Sequence, residues 1–126
     1  MITVIKSPFV QYKLTILRNK KTSNTVFRQT MNEISYLIAS DVLQYVPFKK
    51  QSIQTPLKKM SGTVLGQPII LVPILRAGLG LLEGFAKFLP EAEKGHIGLY
   101  RDEQTYEPVE YLFKLPRVKN KKVLIL

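Results

Sequence analysis

The stretch Ile69-Ile70-Leu71-Val72-Pro73-Ile74-Leu75-Arg76-Ala77-Gly78-Leu79-Gly80 decides how this chain folds. Ile69 to Leu75 is a continuous run of apolar, mostly branched residues. Such a run suits a strand buried on both faces, as in a parallel sheet, better than a half-wetted antiparallel one. Arg76-Ala77-Gly78 turns the chain, Leu79 to Phe88 reads as a helix, and Pro90 ends it. Strand, turn and helix in that order open a βαβ unit.

Downstream, His96 to Tyr100 reads as the next strand, Arg101 to Pro108 as a polar connection, and Val109 to Leu115 as a further strand. A basic loop, Pro116 to Asn120, leads into Val123-Leu124-Ile125-Leu126, which reads as another buried strand. In open α/β sheets ligands sit on the loops beyond the carboxyl ends of strands. A last strand with neither loop nor covering helix leads us to expect the front part of a longer domain.

Upstream, Ser7 can cap a helix over residues 9–18 with Pro8 at its first position. A stronger helix is expected from about Thr25 to Tyr45. Phe27, Met31, Ile34, Leu37 or Ile38, and Val42 recur at three- and four-residue steps, with Asn24 or Thr25 as cap and Pro47 as stop. Tyr12, Tyr36 and Tyr45 on these helices read as core or interface fillers. Lys49 to Met60 alternates polar and apolar residues around Pro56 and reads as an edge hairpin arm, with Gly62 to Pro68 as turn material. One domain is expected over 1–126, with a helical segment and β-arm over 1–60 and the start of an α/β core over 61–126.

The composition, 45% hydrophobic and 22% charged in 126 residues, excludes intrinsic disorder, which needs low hydrophobicity and high charge together. No apolar run approaches the ~20 residues of a membrane span, and the N-terminus lacks a signal peptide's pattern. With no cysteine there is no disulfide framework and no thiolate chemistry. One histidine, His96, excludes a zinc site built from several; no serine–histidine–aspartate arrangement assembles convincingly around it, and it reads as a surface or strand-edge residue. A cytoplasmic chain is expected. Lys and Arg number 19 against nine Asp and Glu, a net charge of +10. Residues 1–59 hold ten basic and two acidic side chains. Such a field attracts nucleic acid, acidic lipid or phosphorylated small molecules, and charge alone does not choose among them.

Two constellations could carry chemistry. Arg76 stands at the carboxyl end of a buried strand, with Ala77, Gly78 and Gly80 around the entry to a helix. Backbone N–H groups and a helix dipole there suit an anion, and a guanidinium grips phosphate with two prongs. An ordinary strand exit with a solvated arginine is the plainer alternative. The segment is neither GxxxxGK[ST] nor GxGxxG. In Tyr100-Arg101-Asp102-Glu103-Gln104-Thr105-Tyr106-Glu107-Pro108-Val109-Glu110-Tyr111 an arginine again follows a short apolar strand. Arg101 could bind a phosphate and Asp102 and Glu103 a magnesium-bound water, or the segment could be an exposed loop with internal ion pairs.

The stretch from Pro68 to Pro116, PIILVPILRAGLGLLEGFAKFLPEAEKGHIGLYRDEQTYEPVEYLFKLP, closely resembles the uracil phosphoribosyltransferases, type I phosphoribosyltransferases of pyrimidine salvage. Ser7 to Leu43 is similar to the opening of that family, so the resemblance covers nearly all of the chain. It implies an α/β fold: N-terminal helices plus a β-arm, then an incomplete parallel-sheet, Rossmann-like phosphoribosyltransferase core. It implies transfer of 5-phosphoribosyl from phosphoribosyl pyrophosphate to uracil, giving UMP and pyrophosphate. Mg2+ would be held through the substrate pyrophosphate, with no metal ligand or catalytic side chain assigned in this chain. Arg76 matches the arginine of the family's RAG motif and Arg101 that of its YR motif. Both would contact the phosphoribosyl donor, with Ala77 and Gly78 letting the backbone approach the diphosphate.

The family also has an acidic, glycine- and threonine-containing loop after a strand matching Val123 to Leu126, and a later uracil-recognition segment. These 126 residues hold neither, so the expectation is a family fold without turnover by this chain alone. The resemblance further implies a homodimer in full-length members, with the Lys49–Met60 arm and the 107–115 strand as contacts. It implies no membrane and no specific nucleic acid as partner. A non-catalytic remnant with residual diphosphate binding, or a basic nucleic-acid-binding domain, are the alternatives.

Overall fold

The computed structural model describes residues 2–126. Helix α1 (Pro8–Arg18) begins as expected: the Ser7 hydroxyl accepts from the Val10 N–H at 3.4 Å and Pro8 occupies the first turn, where its missing N–H costs nothing. Helix α2 (Asn24–Leu43) starts one residue earlier than its apolar period suggests. Its cap is Ser23, whose hydroxyl accepts from the Val26 N–H, rather than Asn24 or Thr25. The Lys13 ammonium and the Glu33 carboxylate join α1 to α2 at 2.7 Å. Tyr12 and Tyr45 are exposed and so are not core residues; Tyr36 is half-buried.

The arm is a regular antiparallel hairpin of β1 (Phe48–Gln54) and β2 (Lys59–Leu65), paired from Phe48↔Leu65 to Gln54↔Lys59. It is longer than expected. Gly62 to Leu65 are strand and only 66–68 are turn, because Thr63, Val64 and Leu65 complete a ladder that the flanking glycines, in sequence, mark as interrupted. The arm therefore runs across the expected 60/61 boundary.

The run Ile69–Leu75 is two strands, β3 (Ile69–Val72) and β4 (Ile74–Leu75), separated by Pro73. A proline has no N–H to give to the ladder. Pairing nevertheless passes across the break. β5 (Glu93–Lys94) runs parallel to β3, and β6 (His96–Arg101) runs parallel to β4. The Gly95 N–H reaches the Leu71 carbonyl at 3.0 Å and the Ile97 N–H reaches the Pro73 carbonyl at 3.4 Å. On the other side β8 (Lys122–Ile125) lies parallel to β3, and the Leu126 carbonyl accepts from the Ile74 N–H at 2.8 Å. β7 (Pro108–Lys114) pairs antiparallel with β6 at the outer edge. Across the sheet the order is β8, β3/β4, β5/β6, β7, with three parallel lanes and one reversed.

Ile69 to Val72 are 0–3% exposed, which confirms a strand buried on both faces. β8 is less enclosed than its sequence suggests: Val123 and Leu124 are half-buried and Ile125 is 65% exposed, because β8 borders the sheet. Between β6 and β7 the register slips at Gly98/Leu99. Gly98 pairs with Leu112 and Leu99 with Glu110, so Tyr111 is the extra residue. Its ring fills the space a Gly98 side chain would need: a Cβ there would lie 2.5 Å from Tyr111 Cζ.

Helix α3 (Leu79–Phe88) forms over the expected residues. Phe85 joins Ala39, Val46, Ile69 and Leu71 in the core. Gly80 and Gly84, four residues apart on one stripe of α3, let α2 come close. Met31 packs over Gly80. The Ser35 hydroxyl, fully buried, donates to the Leu81 carbonyl and accepts from the Gly84 N–H at 3.1 Å. A Cβ on Gly84 would lie 2.5 Å from the Ser35 carbonyl carbon and 2.6 Å from the Tyr36 nitrogen. Those neighbours are backbone and cannot swing aside. Gly84→Ala should therefore force the helices apart and destabilise the protein by about 1–3 kcal/mol, despite alanine's better helix propensity. Chemical denaturation of the two proteins reads this directly, and an alanine form as stable as the wild type would show that the helices are not held this closely.

Candidate functional site

Leu75 pairs with Gly98 in adjacent parallel strands. The chain leaves β4 at Arg76 and leaves β6 after Arg101, so both arginines stand at the same carboxyl edge of the sheet. Neighbouring strands are only ~5 Å apart. Both side chains are exposed. The ladder thus sets both turns at one edge of the sheet, with Arg101 three residues beyond Gly98, the partner of Leu75.

The turn after β4 is tightly built. The Gly78 N–H donates to the Ile74 carbonyl at 2.8 Å, and Gly78 itself is buried. A side chain there would collide with Ile74 (2.6 Å from its nitrogen, 2.9 Å from its oxygen) and with the Leu126 carbonyl. Gly78 is required, then, by backbone packing within the sheet. The Leu79 and Gly80 N–H groups bond back to the Arg76 and Ala77 carbonyls, each at 3.2 Å. Among the described residues no acceptor meets the N–H of Arg76 or Ala77. The donors left for an anion are therefore in the turn itself, one step ahead of the helix end that the sequence points to. Ala77 is exposed beside them.

An open groove of about 530 Å³ adjoins this turn. Arg76, Ala77, Leu79 and Gly80 form one wall, and Phe27, Arg28, Met31 and Asn32 of α2 form the other. The α2 wall is absent from the sequence reading, since nothing in the spacing of α2 says which neighbour it faces. Gly80 and Gly84 were the available signal.

The loop after Arg101 is ordered by its own acid. Asp102 Oδ1 accepts from the Gln104 N–H at 2.9 Å, the Thr105 N–H at 2.8 Å and the Thr105 hydroxyl at 3.2 Å. The Asp102 N–H donates to the Glu107 carbonyl, and Tyr106 takes a left-handed conformation at φ 59° to close the turn. The Thr105 and Gln104 N–H groups hold the Asp102 carboxyl below its ordinary value of 3.8. Asp102 is thus committed to loop structure. No group of three His, Cys, Asp or Glu side chains comes together among the described residues. This donor set does not fit a magnesium ion held by protein side chains alone. His96 is half-buried at the start of β6, opposite Lys114.

Because the folded loop lowers the Asp102 pKa, the turn is favoured above pH 3.8 and loses that contribution as the pH falls through the folded-state value. NMR titration of the Asp102 carboxyl should give a midpoint below 3.8, moving up to the ordinary value in unfolded protein. A folded-state midpoint at or above 3.8 would mean the three donors are not engaged.

Residues 4–126 match the family model described as uracil phosphoribosyltransferase. The uracil phosphoribosyltransferase of Lactiplantibacillus plantarum is 48% identical over 114 residues, covering 90% of this chain and 54% of that protein. That of Streptococcus pyogenes serotype M5 is 44% identical over 124 residues, covering 98% of this chain and 59% of that one. A solved structure of a protein from Aquifex aeolicus superposes with a TM-score of 0.89 at 32% identity, covering all of this chain and 61% of its own. The chain spans about half the length of the curated relatives it matches. The match is continuous through both arginine turns, and the chain belongs to the uracil phosphoribosyltransferase family.

Proposed function

We propose that this chain carries the donor-diphosphate part of a phosphoribosyl transfer from phosphoribosyl pyrophosphate to uracil, which yields UMP and pyrophosphate. The supporting observation is the placement of Arg76 and Arg101 at the carboxyl ends of adjacent parallel strands. As the bond from the ribose C1 to the diphosphate breaks, negative charge grows on the leaving oxygens. Cations fixed beside them bind the transition state more strongly than the ground state, and that difference is what accelerates a reaction. Arg76 and Arg101 supply the charge, and the Ala77 N–H supplies a directed donor. Gly78 shapes the turn that presents them. No side chain here acts as general acid or base, and magnesium would arrive on the diphosphate.

In this reading the 126 residues alone bind diphosphate without turnover, since the acidic phosphate loop and the uracil segment expected of the family are not among them. The β1–β2 arm and β7 provide contacts for a homodimer of full-length members, and the location is cytoplasmic. Among the described residues no helix is long and apolar enough to cross a membrane.

Calorimetric titration with pyrophosphate tests the binding part. Arg76→Ala and Arg101→Ala should each weaken binding roughly tenfold, the scale of losing one charge-assisted hydrogen bond; affinities equal to wild type would discard both as ligands. An assay of UMP from uracil and phosphoribosyl pyrophosphate tests the rest. UMP made by the 126 residues alone would overturn the claim that this part binds without turnover.

A further inference from the structure

Arg28 belongs to neither arginine motif, yet the packing of α2 on α3 brings it to the same edge of the molecule. The contacts between the two helices advance together. Met31 lies over Gly80, the Asn32 amide donates to the Glu83 carboxylate at 2.7 Å, and Ser35 meets Leu81 and Gly84. The helices therefore run parallel, and both begin at the end of the sheet where β4 and β6 finish. Arg28 stands one turn before Met31 and Asn32 on the same stripe of α2, and Arg76 stands in the turn that leads into α3, ahead of Gly80. Both arginines line the groove of about 530 Å³.

Among the described residues no carboxylate lines that groove. The ion pairs among the described residues are Lys13–Glu33 and Lys121–Glu93, so neither arginine is neutralised. Arg28 is exposed, and among the described residues no hydrogen bond of its side chain ties it to the fold. Phe27, Met31 and Leu79 make the rest of the groove largely apolar. Two like charges beside an apolar wall repel each other, and an anion entering between them relieves the repulsion. An anion with two separated charged groups relieves it at both walls.

We propose that Arg28 is a binding residue for the diphosphate: a third guanidinium, supplied from the helix layer, that closes on the anion from the wall opposite Arg76. The ligand class is a diphosphate-bearing organic anion, its charge between the arginines and its uncharged part free to lie along Phe27, Met31 and Leu79. This rests on the reading that Arg76 and Arg101 hold a donor diphosphate, and the experiment separates the two.

Inorganic pyrophosphate is titrated into the wild-type chain and into Arg28→Ala, Arg28→Lys, Arg76→Ala and Arg101→Ala, with a thermal midpoint recorded for each. Arg28→Ala should bind about tenfold more weakly at an unchanged midpoint. Arg28→Lys should recover part of the loss, because it keeps the charge without the two-pronged fork. If the alanine form melts early, Arg28→Gln, which keeps the side-chain stem, takes its place. Wild-type affinity in the Arg28 variant beside a weakened Arg76→Ala overturns this inference and leaves the proposed function standing. Wild-type affinity in all three alanine variants, or no pyrophosphate binding by the wild-type chain, overturns both.

Discussion

Four consecutive aliphatic side chains, Ile69 to Val72, are shut away from water on both faces of one strand, and the placement of the other elements depends on keeping them there. Burying a residue of this size is worth about 1.5–3 kcal/mol, so the strand cannot lie at a border. It must have a neighbour on each side and cover above and below. β5 and β8 supply the first; α3, held by Phe85, supplies one face of the second. Once β3 is central, Pro73 sets the path of the chain beyond it. The ladder loses one donor there but resumes in step, and the chain exits at Arg76 beside the lane that exits at Arg101.

The helical layer is tied to this frame by a contact of unusual closeness. Ser35 is a polar residue in the interior of a helix pair, and its hydroxyl is satisfied in both directions, by the Leu81 carbonyl and the Gly84 N–H. A buried hydroxyl left without partners would cost free energy; one that bonds both ways fixes how far each helix has slid along the other. That register sets where α2 begins relative to the Arg76 turn. A contact at the middle of the helices thus governs the distance between charged groups at their ends.

Much of this was legible beforehand. Ser7-Pro8 marks the start of α1 by local chemistry alone, and Leu79 to Phe88 stops just ahead of Pro90, which cannot continue a helix. The buried strand and both arginine turns are local signals too. What the sequence concealed was set by distant partners. Thr63 to Leu65 are strand because Phe48 to Lys50 lie opposite them, which outweighs the two nearby glycines. The division of Ile69 to Leu75, by contrast, was within reach of the sequence, since it falls at Pro73, which has no N–H for the ladder. Tyr12 and Tyr45 have the size of core residues but face water. The free donors lie at Arg76 and Ala77, since the helix end turned its own N–H groups back onto the turn. Arg28 carried no signal at all until α2 had a neighbour.

The extra residue in β7 has one more consequence. A border strand offers a row of unpaired N–H and C=O groups, and a long, flat, regular row is a template on which other chains can add and aggregate. Tyr111 interrupts that regularity, bending the strand and sharpening its twist. Pro108 removes one donor at the strand's start. With Tyr111 and Phe113 both more than half exposed, this apolar rim of the sheet is also an irregular one, which guards an otherwise sticky surface against indiscriminate self-association.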